Sequence, residues 1–267
     1  MRRLSFLIIG CSLITLAGLA GCERSGESGD EKAKAVEKEA EKAQTGQKQG
    51  QQEQEAEQDP DAMTMTKERQ SEMTPEQAIE RLQIGNERFL EDGALDRDLN
   101  TQVKQTAGGQ YPFAAVLGCI DSRVPPEVIF DQGIGDIFTG RVAGNFVNDD
   151  MLGSLEFATK VAGAKAIVVL GHTSCGAVKG ACDNVELGHV SSLVNNIRPS
   201  VNEVVAEGET CSSDDTETVN DIAEANVERT VEQIRDESEI LKQLEDDGEI
   251  VIVGAMYDVE TGEVEFY

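Results

Sequence analysis

The sequence predicts an α/β fold: a mostly parallel central sheet flanked by helices, with an edge strand at the C-terminus. Three observations carry that expectation. Short apolar runs at 113–118, 166–170 and 250–254 show no polar alternation, as in strands covered on both faces. Apolar stripes at helical spacing lie between them, at 151–161, 177–182, 187–205 and 216–244. Strand and helix patterns alternate along the chain, and a parallel sheet with crossover helices buries both.

Taken in order, residues 1–21 read as a secretion signal. Arg2 and Arg3 supply the positive start, and the apolar stretch from Leu4 to Leu16 is short for a membrane span. The stretch closes in Leu19-Ala20-Gly21-Cys22, which resembles a bacterial lipobox. That resemblance implies cleavage before Cys22 and a lipid on its thiol. An ordinary signal peptide and an uncleaved anchor are the alternatives. Glu23 follows, so the Asp that typically retains such proteins at the inner membrane is missing. The expected location is outside the inner membrane, lipid-anchored to a bacterial membrane and facing the periplasm.

Residues 22–72 read as the lipidated cysteine and a disordered tether. They are rich in Gln, Glu, Lys, Gly, Ser and Ala and have too little apolar surface to offset the entropy of ordering. The ordered domain is expected over 73–267. It opens with Thr74-Pro75-Glu76-Gln77, a helix start with a hydroxyl cap, Pro at the first helical position and Gln at the third. Ile79, Leu82, Asn86 and Phe89 follow on one face. A strand ends at Cys119, a second spans 136–142, a third runs into Gly171-His172, and a fourth begins at Ile250. Turn residues 258–262 then lead to an edge hairpin at 264–267.

Composition narrows the function. The chain has 51 acidic against 23 basic residues, a net charge of −28, which argues against nucleic acid and anionic lipid surfaces as partners. Aromatics are 4% and Trp is absent, so the core is built from Val, Ile, Leu and Ala.

The chemistry concentrates at two strand ends. Ligands of parallel sheets sit at the carboxyl ends of the strands, and Cys119 and His172 both stand there. Cys175 follows His172 in Gly171-His172-Thr173-Ser174-Cys175-Gly176. Two thiolates and an imidazole suit zinc, and three protein ligands leave a position open, as in a catalytic site. A buried structural Cys is the ordinary reading of Cys119 alone; the combination with Cys119-Ile120-Asp121-Ser122-Arg123 is far more specific.

Those two motifs together resemble the β-class carbonic anhydrases. The similarity runs from about Thr74 to the C-terminus and includes Gly85-Asn86-Glu87-Arg88-Phe89 and Arg141-Val142-Ala143-Gly144-Asn145. The resemblance implies one Zn2+ per subunit on Cys119, His172 and Cys175. It implies reversible hydration of CO2 to bicarbonate by hydroxide formed on that zinc. It gives Asp121 and Arg123 as the dyad beside the metal. Gln110, Phe138, Ala143 and Phe157 match positions that line the substrate pocket. It further implies a homodimer or dimer of dimers in which a neighbour completes each pocket.

Two other readings share these residues. Hydrolysis of carbonyl sulfide or carbon disulfide would use the same ligands, and a zinc-bearing scaffold without activity would keep them too. The intact Asp121–Arg123 pair and Gln110 argue against the scaffold. His189, the second of two histidines, reads as a loop residue. Cys182 and Cys211 are left over. They either form a disulfide in an oxidising compartment, or Cys182 is a core residue.

Overall fold

The structure, a computed structural model, describes residues 59–267; the secretion signal, Cys22 and the tether up to residue 58 lie outside the described residues. Five strands form one sheet in the order β2-β1-β3-β4-β5. They are β1 Ala114–Gly118, β2 Ile137–Arg141, β3 Ala166–His172, β4 Val251–Tyr257 and β5 Val264–Phe266. β1, β2, β3 and β4 pair in parallel and β5 returns antiparallel along β4. The expected α/β class with its C-terminal edge strand is what the chain adopts.

Every residue of β1 and β3 is buried, which explains their unbroken apolar sequence. Side chains alternate between two cores. Ala115, Leu117, Ile167, Val169 and Ile252 face one core, with α5 (Asp149–Glu156), α8 (Thr216–Glu237) and α9 (Glu239–Asp246). Ala114, Val116, Val168, Leu170 and Ala255 face the other, against Ala78 and Leu82 of α2 (Pro75–Leu90). α2 starts as expected: Thr74 Oγ accepts from the Gln77 amide and Gln77 reaches back to the Thr74 amide.

The structure changes three expectations. Order begins before residue 73. Pro60–Ala62 form a 3-10 turn and Lys67–Glu72 form α1, with Met65 and Gln70 buried. Gln70 donates to the carbonyls of Pro112 (2.7 Å) and Ala162 (2.8 Å), and Arg81 and Asp61 pair at 2.7 Å. These partners are remote in sequence, so local composition did not display them. Next, the single long helix expected over 216–244 is two. Ser238 leaves helical geometry, caps α9 by accepting from the Leu241 amide, and donates to Glu156 at 2.6 Å. Finally, α3 (Leu99–Thr106) and the one-turn α4 (Pro126–Ile129) occupy stretches that carry no apolar stripe. No described helix is long and apolar enough to cross a membrane.

Candidate metal centre

Three elements bring the ligands together. β1 delivers Cys119 just past its end and β3 ends on His172. Cys175 precedes α6 (Gly176–Cys182) as its cap residue. One donor atom from each lies within 4.8 Å of the others, and all three residues are buried. The tight return from His172 to Cys175 needs Ser174 at φ 54°, which only a minority of non-Gly residues adopt.

The donor atoms are prepared for a cation. His172 Nδ1 lies 2.9 Å from the Thr173 carbonyl. A carbonyl can only accept, so Nδ1 carries the proton in this contact. That leaves Nε2, which is buried and has no hydrogen-bond partner, as a free lone pair. The thiols are polarised against each other. The Cys175 thiol, hydrogen-bonded to Cys119, pulls the Cys119 thiol down to about 4, against the effect of burial and aided by the Gly144 and Asp121 amides. Cys175 moves upward, because its bond to Cys119, its burial and the Cys119 charge all oppose a second thiolate. Two thiolates, once formed, would together balance the charge of a divalent cation. Two sulfurs and one imidazole suit zinc.

Asp121 stands outside the three-residue group, held by Arg123. Nε donates to Oδ1 at 3.0 Å, Nη2 to Oδ2 at 2.9 Å, and the Arg123 amide to Oδ1 at 3.0 Å. These hydrogen bonds hold the Asp121 carboxyl far below the usual carboxylate range. Arg141, at the end of β2, secures the turn beneath it, donating to the carbonyls of Cys119 (2.7 Å) and Asp121 (2.5 Å). Arg141 opens the Arg141–Asn145 motif, and nothing in the spacing of that motif marks this role.

The four pocket positions do not meet within one chain. Ala143 precedes Gly144, whose amide donates to Cys119 Sγ at 3.4 Å, so it lies beside the metal group. Phe138 and Phe157 pack edge to face, centroids 6.3 Å apart. They line a separate groove of about 490 Å³ with Leu117 and Met151. Gln110 is exposed in a third place, near Ile134 and Gly135. His189 is exposed at the start of α7 (His189–Val204), apart from the metal group. Cys182 and Cys211 are bonded, and Cys182 is buried as well, so both of its expected roles hold together.

Comparison with known proteins points to one family. Residues 114–264 match the profile of the carbonic anhydrase family. The chain is 35% identical over 196 residues to carbonic anhydrase 2 of Mycobacterium tuberculosis, spanning 70% of this chain and 90% of that one. It is 36% identical over 193 residues to a carbonic anhydrase of Mycolicibacterium smegmatis, spanning 72% and 92%. Among solved structures, a β-carbonic anhydrase of the fungus Aspergillus fumigatus superposes with a TM-score of 0.57 at 30% identity, covering 63% of this chain and 81% of that one. A Coccomyxa β-carbonic anhydrase in complex with acetazolamide gives 0.55 at 28% identity, covering 62% and 76%.

Proposed function

The chain belongs to the β-class carbonic anhydrase family, and on that premise we propose that Cys119, His172 and Cys175 hold one zinc ion per subunit, beside which CO2 is reversibly hydrated to bicarbonate and a proton. The observation that carries the site is the buried group itself: two neighbouring thiols and an imidazole whose Nε2 is buried without a partner. When bound, zinc supplies a Lewis acid that makes water a competent nucleophile near neutral pH.

The chain's own residues then do three things. Arg123 holds Asp121 ionised and in one orientation through a two-point pair. Oδ1 accepts two of the Arg123 bonds and Oδ2 only one, so Oδ2 keeps a lone pair with which the carboxylate can accept a hydrogen bond from the attacking water and align it. Buried apolar neighbours of the ligands, among them Val178 and Ile197, keep bulk water from the donor side.

CO2 also needs an apolar wall. We assign Phe138, Phe157 and Gln110 to the pocket of a neighbouring subunit. Phe157 is 52% exposed and Val161 70% exposed. Phe157 packs on Phe138 of β2, whose outer edge is unpaired in the sheet, and Val161 lies one turn further along the same helical segment. An apolar patch along a free edge is what association would cover.

Export on a lipid anchor at Cys22 belongs to the same reading. Its support is the Cys182–Cys211 bridge, a feature of oxidising compartments.

The test is stopped-flow CO2 hydration with zinc analysis on the full chain, assayed in membrane fractions. Cys175→Ser should lose both zinc and activity. Asp121→Asn should keep its zinc while kcat falls about 100-fold, as for loss of a group that orients the attacking water. Cys22→Ser should release activity from the membrane. Wild-type rates in both active-site variants would falsify the catalytic assignment, and membrane-bound activity in Cys22→Ser would dismiss the anchor.

A further inference from the structure

One helix touches the backbone beside all three candidate ligands. In the ligand loop between His172 and Cys175, the Ser174 amide donates to Asn220 Oδ1 of α8 at 2.8 Å. Beside Cys119, the Gly144 amide donates to the sulfur, and the Gly144 carbonyl accepts from Asn226 Nδ2 of α8 at 2.8 Å. Beside His172, α8 lies directly on Gly171: a Cβ there would come within 2.5 Å of Val227 and 3.6 Å of the Ala223 carbonyl. The three ligand neighbourhoods come from different strands and loops, and α8 is common to them.

Asn226 is 2% exposed and its polar atoms are committed. It accepts from Ser200 of α7 at 3.4 Å while donating to Gly144. Gly144 has little freedom of its own. It sits at φ 82°, and a Cβ there would collide with the Ile197 side chain. Its amide is aimed at Cys119 on one side while Asn226 holds its carbonyl on the other, so Asn226 fixes the peptide that follows the donor. Asn220 plays the mirror part, offering an acceptor to an amide in a strained turn at φ 54°.

We propose that α8 is the template of the metal site, with Asn220 and Asn226 as positioning residues that fix where the sulfurs of Cys175 and Cys119 stand. The inference rests on the metal-site reading above and adds to it the part of the chain that sets the geometry. Loss of groups that orient metal ligands weakens metal binding by about 10–100-fold.

The test uses the full chain loaded with zinc, and separately with cobalt(II). It reads zinc release to a chelating dye and the sulfur-to-cobalt charge-transfer band. Asn220→Ala and Asn226→Ala should each release zinc about 10-fold faster and shift the cobalt band. The asparagine-to-aspartate changes should then split. Asn220→Asp keeps an acceptor for the Ser174 amide and should restore wild-type release within about 2-fold. Asn226→Asp loses the donor to Gly144 and should not. A site merely loosened by damage to the helix would treat the two aspartates alike. If the changes at Asn226 prevent folding, the Ala and Asp variants at Asn220 decide the matter. Unchanged release and an unchanged band in the alanine variants would overturn the template. So would Asn220→Asp releasing zinc as fast as Asn220→Ala. A wild-type chain that takes up no zinc overturns the site reading itself, a separate result.

Discussion

Asp131 sits in a left-handed turn at φ 45°, 6% exposed, between two guanidinium groups. Arg88 Nε donates to Oδ2 at 2.6 Å, Arg97 donates to Oδ1, and the Leu95 amide adds a third bond at 3.3 Å. Burial alone would push its carboxyl up, but the Arg97 and Arg88 bonds outweigh it and hold the group below the usual range. A carboxyl depressed on folding contributes stability that is complete above its unfolded value, about 4, and is lost as pH falls through that region. Asn tolerates the same backbone, so Asp131→Asn leaves the turn in place while removing the charge and one of the two acceptor oxygens. It should cost about 3 kcal/mol at pH 7, the low end for breaking a buried pair, because Arg88 keeps Asp61 at 3.7 Å. Urea unfolding at a series of pH values should show the gap between variant and wild type closing below about pH 4.5. A gap that stayed constant down to pH 3.5 would mean that charge pairing is not what Asp131 contributes.

At the scale of elements, Gly85 and Asn86 show why α2 docks where it does. A Cβ on Gly85 would collide with the Phe130 carbonyl, so this helix face meets the turn after α4 backbone to backbone. Asn86 then donates to the carbonyls of Ile129 and Gly262, each at 3.0 Å, and accepts from the Val264 amide at 2.9 Å. One residue thus joins α2 to α4 and to the β4–β5 hairpin. Gly85→Ala should gain about 1 kcal/mol of helix propensity and lose more to overpacking, for a net cost of about 2 kcal/mol. A melting temperature at or above that of wild type would show that α2 can shift to make room.

The strands were legible because burial on both faces writes itself as an uninterrupted apolar run, as in Ala166–Leu170. The candidate ligands were legible as a group because their chemistry is rare and their motifs specific. What stayed hidden depends on distant partners. Residues 59–72 are mostly polar, and their order comes from Met65 packing into the core and from Asp61 and Gln70 reaching the rest of the domain. Arg141, Asn220 and Asn226 act by hydrogen bonds to backbone, which leave no spacing in the sequence. The pocket positions Gln110, Phe138 and Phe157 could be matched but not assembled, because one subunit does not bring them together.

For the molecule as a whole, the cysteines pose a problem of timing. Four of them fall among the described residues, and four thiols can pair in three ways. The Cys119 and Cys175 sulfurs lie within 4.8 Å of each other, close enough that an oxidant meeting an empty site has a rival bond to make. The bridge that does form joins Cys182, at the far end of the helix that Cys175 begins, to Cys211. On the proposed reading, zinc would claim two of the four thiols and leave a single pairing for the others, so the ion would act as a protecting group during maturation. Oxidative refolding with zinc should yield the Cys182–Cys211 bridge alone, and refolding with a chelator should add Cys119–Cys175 and crossed pairs. Peptide mapping by mass spectrometry would separate these products, and identical maps from both reactions would show that the fold chooses the bridge unaided. If the maps differ, this chain has an order of assembly, metal first and oxidant second, and the compartment that oxidises it must also supply zinc, or receive the chain already loaded.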